Sequence, residues 1–201
     1  MNVAIVDYGA GNVPSVERAL KKLGANPARV SNAEKLAEAR AIVLPGVGHF
    51  SALIRALDER ELRAPLVDAI SHGKPFLGIC LGLQALYQSS EEAPGLAGLG
   101  IFPGKVCALP SNVKLPHMGW NRLKIRRGSP LLEGLTDEHY FYFAHSFAAR
   151  TTNGETLAVC EYGAEFGAVL SMDHICAVQF HPEKSGSAGA KLLGNFLRTA
   201  A

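Results

Sequence analysis

Cys80 lies in Gly78-Ile79-Cys80-Leu81-Gly82, with glycine at both second neighbours. An apolar run, 75–79, precedes it, and a helical pattern, 81–88, follows. A buried strand that turns sharply into a helix needs small residues around the turn. The spacing therefore predicts a nucleophile elbow of the Gly-x-Ser-x-Gly kind, with a thiol in place of the hydroxyl. Such an elbow lifts the sulfur above the sheet edge and sets it at a helix N-terminus. There the unpaired N–H groups and the helix dipole favour the thiolate. A nucleophile placed this way needs a base, and Gln179-Phe180-His181-Pro182-Glu183 supplies one late in the sequence.

His181 and Glu183 follow a strand expected over 175–180. Residues two apart in an extended segment point the same way, and Pro182 between them stiffens the segment. Ligands of open parallel sheets bind beyond the C-terminal strand ends, where the elbow also lies. His181 can take the thiol proton and return it to a leaving amine, and Glu183 can fix its tautomer and stabilise the imidazolium. Taken alone, His-Pro-Glu is equally a surface turn, and a lone cysteine is usually a small buried hydrophobe. The latter is the reading for Cys107, Cys160 and Cys176. Pro45-Gly46-Val47-Gly48 also follows an expected strand. Its backbone N–H groups, at Gly46 and Val47, read as half of an oxyanion hole, with the N–H of Leu81 as the other half. One such donor is worth about 3 kcal/mol of transition-state stabilisation. The plainer reading is a glycine-rich strand-to-helix turn. The segment 7–12 lacks the lysine of a phosphate loop and the full dinucleotide fingerprint, which argues against nucleotide binding there.

The elements that must position these groups follow from hydrophobic periodicity. Strands are expected over 3–6, 41–44 and 75–79. Helices are expected over 13–23, across much of 49–70, and over 81–88. Alternation of this kind indicates a mostly parallel sheet flanked by helices on both faces, an α/β fold. Beyond residue 100 the runs 105–109, 121–125, 140–143, 156–160, 167–170 and 175–180 are short and punctuated by Gly, Pro, Asn and Asp. They predict hairpins and a smaller mixed or antiparallel sheet, closed by a helix over 188–198. With 201 residues and no repeat or linker, one domain spanning 1–201 is expected. The apolar fraction of 48% is ample for a core, and a net charge of +2 argues for neither nucleic acid nor a membrane surface. The four cysteines form no CxxC pair and no zinc spacing. No signal-peptide pattern opens the sequence and no stretch is long enough to cross a bilayer. A soluble cytoplasmic enzyme is expected, with neither cofactor nor metal.

Six segments, in order, carry a resemblance to a known family. They are Asp7-Tyr8-Gly9-Ala10-Gly11-Asn12, Leu44-Pro45-Gly46-Val47-Gly48, Gly78-Ile79-Cys80-Leu81-Gly82-Leu83-Gln84, Pro116-His117-Met118-Gly119-Trp120-Asn121, Tyr142-Phe143-Ala144-His145-Ser146-Phe147 and Gln179-Phe180-His181-Pro182-Glu183-Lys184-Ser185-Gly186. Together they resemble the class I (triad) glutamine amidotransferases over almost the whole chain. The likeness is closest to the glutaminase subunits of imidazole glycerol phosphate synthases. Leu83, where methionine is common, and His49, where a smaller residue is usual, are the departures, and neither touches the triad. The resemblance implies that Cys80 attacks the side-chain amide of L-glutamine, with His181 and Glu183 behind it. It implies that Gln84 and Glu92 help hold the substrate, with backbone from Gly48, Ser146 and Phe147. Without it, Glu91-Glu92 reads as a solvated charge pair.

The resemblance also implies a partner, a (β/α)8-barrel cyclase subunit docked over the site in a heterodimer. Ammonia would pass to it to form imidazole glycerol phosphate and AICAR in histidine biosynthesis. Asn12, Trp120, Tyr142 and Lys184 match positions at or near that interface. On residue type alone Trp120 could be core, Tyr142 a strand residue and Lys184 a solvated charge. A glutaminase acting alone would waste glutamine, so the glycines of 45–48 suggest N–H groups misaligned until the partner binds. Three other readings stay open: a glutaminase for another synthase, a pseudo-glutaminase that only scaffolds, and a cysteine peptidase or generic hydrolase.

Overall fold

Strand β1 (Asn2–Val6) buries four consecutive apolar residues, which a strand does when both faces of its sheet are covered. The protein is described by a computed structural model covering residues 1–151 and 154–200. After β1 come α1 (Val13–Lys22), β2 (Asn26–Val30), α2 (Ala33–Glu38), β3 (Ala41–Gly46), α3 (Phe50–Glu59), α4 (Arg63–Ser71), β4 (Phe76–Cys80) and a single helical turn, α5 (Leu81–Gln84). There follow β5 (Tyr87–Ser90), β6 (Phe102–Ala108), β7 (His117–Arg122), β8 (Lys124–Ile125), β9 (Tyr140–His145) and β10 (Phe147–Ala149). The chain ends with β11 (Thr156–Tyr162), β12 (Ala164–Met172), β13 (Ile175–Val178) and α6 (Gly186–Thr199).

Eight strands form the main sheet in the order β2-β1-β3-β4-β13-β12-β11-β8. The first five run parallel and the last three antiparallel. Strand β13 returns late in the chain to lie beside β4, pairing Val178 with Ile79. That one pairing brings the segment after β13 to the elbow after β4. Alternate side chains divide between two apolar layers. Val3, Ile5, Val43, Leu77 and Ile79 pack with α1 and α6. Ala4, Val6, Ile42, Leu44 and Phe76 pack with α3 and α4 on the other face. A three-stranded sheet, β10-β6-β5, and a two-stranded ribbon, β7-β9, lie beside the main sheet.

The mostly parallel α/β sheet is as expected from the sequence, and four local expectations change. The helix expected over 81–88 is one turn, because Tyr87 enters β5 and pairs with Phe102. Periodicity cannot separate a buried helix from a buried strand over so short an apolar run. Hydrophobic periodicity gives no strand at β2. It is an edge strand containing Pro27 and Arg29, with burial at only two of five positions, and edge strands tolerate such residues. The expected strand 121–125 is two strands in different sheets, β7 and β8. The strand expected over 175–180 stops at Val178. Among the described residues no helix is long and apolar enough to cross a membrane.

Candidate active site

Cys80 ends β4 and caps α5 with φ 55° and ψ −106°. A side chain held there costs on the order of 1–3 kcal/mol and persists only where the surroundings enforce it. Three glycines enforce it by allowing contacts that a Cβ would forbid. A Cβ on Gly78 would lie 2.7 Å from the Gly82 carbonyl oxygen, and one on Gly46 would lie 2.6 Å from the Leu81 Cβ. A Cβ on Gly82 would collide with the Leu44 carbonyl. Gly46 pairs with Cys80 across β3 and β4, so the oxyanion candidates abut the cysteine. Leu81 is the first residue of α5, where N–H groups have no intrahelical acceptor. With α5 only four residues long, the dipole contributes less than the expected helix would, and side chains must do more.

His181 follows β13 with both its N–H and its carbonyl hydrogen-bonded. Its N–H donates to the Tyr142 carbonyl at 2.8 Å. Its carbonyl accepts from Ser185 Oγ at 2.7 Å, and that oxygen accepts from the Tyr142 N–H at 2.9 Å. The Nδ1 of His181 lies 2.9 Å from Glu183 Oε1, and both side chains are buried. The pair meets through a 3₁₀ turn, Pro182–Lys184, rather than through the extended segment expected. Glu183 Oε1 also accepts from Asn12 Nδ2 at 3.0 Å. Burial pulls the His181 imidazolium down. The Cys80 sulfur and the Glu183 carboxylate outweigh burial and raise it well above the ordinary histidine range.

A pocket of about 450 Å³ is lined by Cys80, Leu81, Val47, Gly48, Gln84, Glu92, Ser146, Phe147 and His181. Asn12 and Lys184 also reach it. Gln84 Nε2 donates to the Phe147 carbonyl at 2.7 Å and to Gln179 Oε1 at 3.2 Å. Glu92 Oε2 accepts from the Phe50 N–H at 2.7 Å at the start of α3. Glu91 instead pairs with Lys105 on the surface at 2.7 Å, so the two neighbouring carboxylates part company. His49 caps α3, accepting from the Ser51 N–H at 3.2 Å. The Val47 N–H donates to Tyr8 Oη at 3.3 Å, and burial, above all, pushes that phenol up to about 12.

Three further groups stand at or near the site without a sequence signal that marks them. Tyr8 is one, and Gln179, whose Nε2 approaches Cys80 Sγ at 3.6 Å, is another. The third is a buried histidine pair, His117 Nδ1 to His145 Nε2 at 3.1 Å. Because His145 Nδ1 faces the Phe147 carbonyl at 2.9 Å, that nitrogen carries the proton and Nε2 accepts. His117 then donates through Nδ1 and accepts at Nε2 from Asn121, at 3.3 Å. The chain is complete with both rings neutral. Burial agrees, lowering His117 to about 4 and His145 to about 3. All of these residues stand inside the motif segments, where periodicity alone does not single them out; outside those segments, Tyr162 stacks on the His117 ring and Phe166 meets it edge-on. Cys107, Cys160 and Cys176 are buried, and burial lifts the last two to about 12 and 11.

The profile of the family described as glutamine amidotransferase class-I matches residues 4–200. The chain belongs to this family. Among curated class-I glutamine amidotransferase relatives, the chain is 49% identical over 195 residues to the imidazole glycerol phosphate synthase subunit HisH of Methanothermobacter thermautotrophicus, covering 97% of each. It is 42% identical to the subunit of that name from Bacillus cereus, covering 96% of this chain and 93% of the relative. A crystal structure of a glutamine amidotransferase shares its fold with TM-score 0.79 at 22% identity, covering 98% of each chain. The PurLQS structure from Thermotoga maritima gives 0.79 at 20% identity, covering 100% of this chain and 99% of that one. In this glutamine amidotransferase chain Trp120 is 55% exposed, so it is not core. Trp120 meets the Tyr142 ring edge-on at 6.0 Å, and Lys184 Nζ stands 5.6 Å from the same ring. Asn12 is apart from that trio, on Glu183.

Proposed function

We propose that the chain is the glutaminase subunit of an imidazole glycerol phosphate synthase in histidine biosynthesis, acting as one domain over its whole length. The observation that carries the reading is a buried His181–Glu183 pair beside an elbow cysteine, in a chain close to half identical to HisH subunits over nearly its full length. Cys80 Sγ attacks the side-chain amide carbon of L-glutamine, and its proton passes through His181 to the departing ammonia. The developing oxyanion is received by the N–H of Leu81 and by the backbone of Gly46 and Val47. Water then adds to the thioester with His181 as base, glutamate leaves, and the thiolate is restored.

A carboxylate suits the α-ammonium of glutamine, and Glu92, anchored on the Phe50 N–H, lines the pocket where that group would lie. Gln84 donates to two protein oxygens, which leaves its own carbonyl to receive substrate. Gly48, Ser146 and Phe147 offer backbone along the same wall. The partner is a (β/α)8-barrel cyclase, docked over the face carrying Trp120, Tyr142 and Lys184, with Asn12 at its margin. The assembly works in the cytoplasm. The Val47 N–H is engaged by Tyr8 rather than presented to the pocket, and this supports gating by the partner.

Glutamate release from L-glutamine, by the chain alone and with the cyclase and its nucleotide ligand, tests the proposal. Strong stimulation by the pair is expected. A high rate alone, indifferent to the cyclase, would move the chain to another pathway. Cys80→Ala should abolish glutamine use while the complex still makes product from added ammonia, and a complex that keeps full glutamine-dependent activity would reduce the chain to a scaffold.

A further inference from the structure

Gln179 is wholly buried, and it immediately precedes Phe180 and the base. A buried side-chain amide must satisfy a carbonyl and an NH2 group, and here both ends can be assigned. Gln84 lies against the Phe147 carbonyl at 2.7 Å. A carbonyl only accepts, so the Gln84 atom facing it is the nitrogen. That nitrogen also meets Gln179 at 3.2 Å, so the Gln179 atom there is the oxygen. The Gln179 NH2 group is thereby turned to Cys80 Sγ, 3.6 Å away. The orientation rests on a fixed main-chain carbonyl two links from the sulfur, rather than on local fit alone.

We propose that Gln179 is a further catalytic residue of the glutaminase, a hydrogen-bond donor to the Cys80 sulfur that holds it as an acceptor before attack and when it departs from the thioester. This inference rests on the reading of Cys80 as the nucleophile. A thiolate accepts hydrogen bonds and cannot donate, so an N–H aimed at the sulfur favours the charged form over the neutral one. A further contact of the sulfur, to the Ala144 carbonyl at 4.0 Å, is longer. During deacylation water adds to the acyl carbon, the C–S bond breaks, and the electron pair of that bond stays on sulfur, where the Gln179 N–H meets it. The one-turn length of α5 gives such a donor more to do than a long helix would. His181 and Tyr8 feel the sulfur, Glu92 and Lys184 line the same pocket, and the experiment leaves all four in place.

The experiment is alkylation of Cys80 by iodoacetamide as a function of pH, read at that residue by peptide mass, for the parent chain, Gln179→Met and Gln179→Leu. It needs neither glutamine nor partner. The pH of half-maximal labelling should rise by about one unit in each variant, and labelling at neutral pH should fall about tenfold. Glutaminase kcat in the full complex should fall by a similar factor, with KM within about threefold. Near-ultraviolet circular dichroism selects a folded variant, and either one suffices. A parental labelling profile in a folded variant would overturn the role of Gln179. A parent whose Cys80 resists labelling at every pH where free thiols react would overturn the nucleophile reading itself.

Discussion

Tyr8 is a buried phenol whose oxygen takes the Val47 N–H at 3.3 Å. Removing that oxygen frees a donor that the oxyanion would otherwise claim. A hydrogen bond contributes about 1 kcal/mol net, which at room temperature is about fivefold in a rate or an equilibrium. Tyr8→Phe should therefore raise glutamate release by the chain without its partner about fivefold, and leave the stimulated rate of the complex within about twofold. An unchanged basal rate would mean that Tyr8 merely fills space under the loop. The proposed nucleophile and base are legible as residue types, because an elbow needs glycine at fixed offsets and a thiol needs a proton acceptor. Gln179 and Tyr8 are not, since an amide or a phenol in a buried strand looks the same whether it faces a sulfur, a backbone N–H or the packing of the core.

At the scale of elements, the ribbon β7–β9 carries the neutral histidine chain from Asn121 through His117 and His145 to the Phe147 carbonyl. Burial pushes both imidazoles far below the ordinary 6.5, His117 to about 4 and His145 to about 3. The unfolded chain thus binds more protons than the folded one as pH falls below about 6.5. Their contribution to stability is complete above that value and is lost on the way down to about 4 and below. The slope is at most about 1.4 kcal/mol per pH unit for each histidine. His117→Phe keeps an aromatic ring between Phe143 and Tyr162 and removes one titrating group. Urea midpoints at pH 7 and pH 4.5 should converge in the variant relative to the parent, and an equal acid loss in both would place the sensitivity elsewhere. The alternation of strands and helices announced the parallel half of the sheet, since β3, β4 and all of β1 past Asn2 are apolar. The join between β13 and β4 pairs residues about 100 positions apart, and no local pattern encodes such a partner. The same limit hid β2, whose residues are satisfied by an edge, and shortened α5, whose following residues are claimed by β6.

At the scale of the whole molecule, the pocket, the elbow and the exposed ring of Trp120 are held together by one scaffold. Trp120 is more than half exposed and supports little of the fold. Trp120→Ala should shift folding stability by no more than about 0.5 kcal/mol, while weakening cyclase binding tenfold or more, as loss of an aromatic anchor does. Titration calorimetry with the cyclase would read it, and unchanged affinity would remove the indole from the interface. The backbone of Cys80, at φ 55° and ψ −106°, has a different consequence at this scale. Glycine is the residue that adopts such angles freely, and relief of about 1–3 kcal/mol is large against a net stability of about 5–15 kcal/mol. A library randomised at position 80 and sorted only for heat resistance should therefore return glycine ahead of the parental cysteine. The survivors would be the hardiest proteins in the pool and would have lost the sulfur, so endurance and chemistry make opposite demands on one residue.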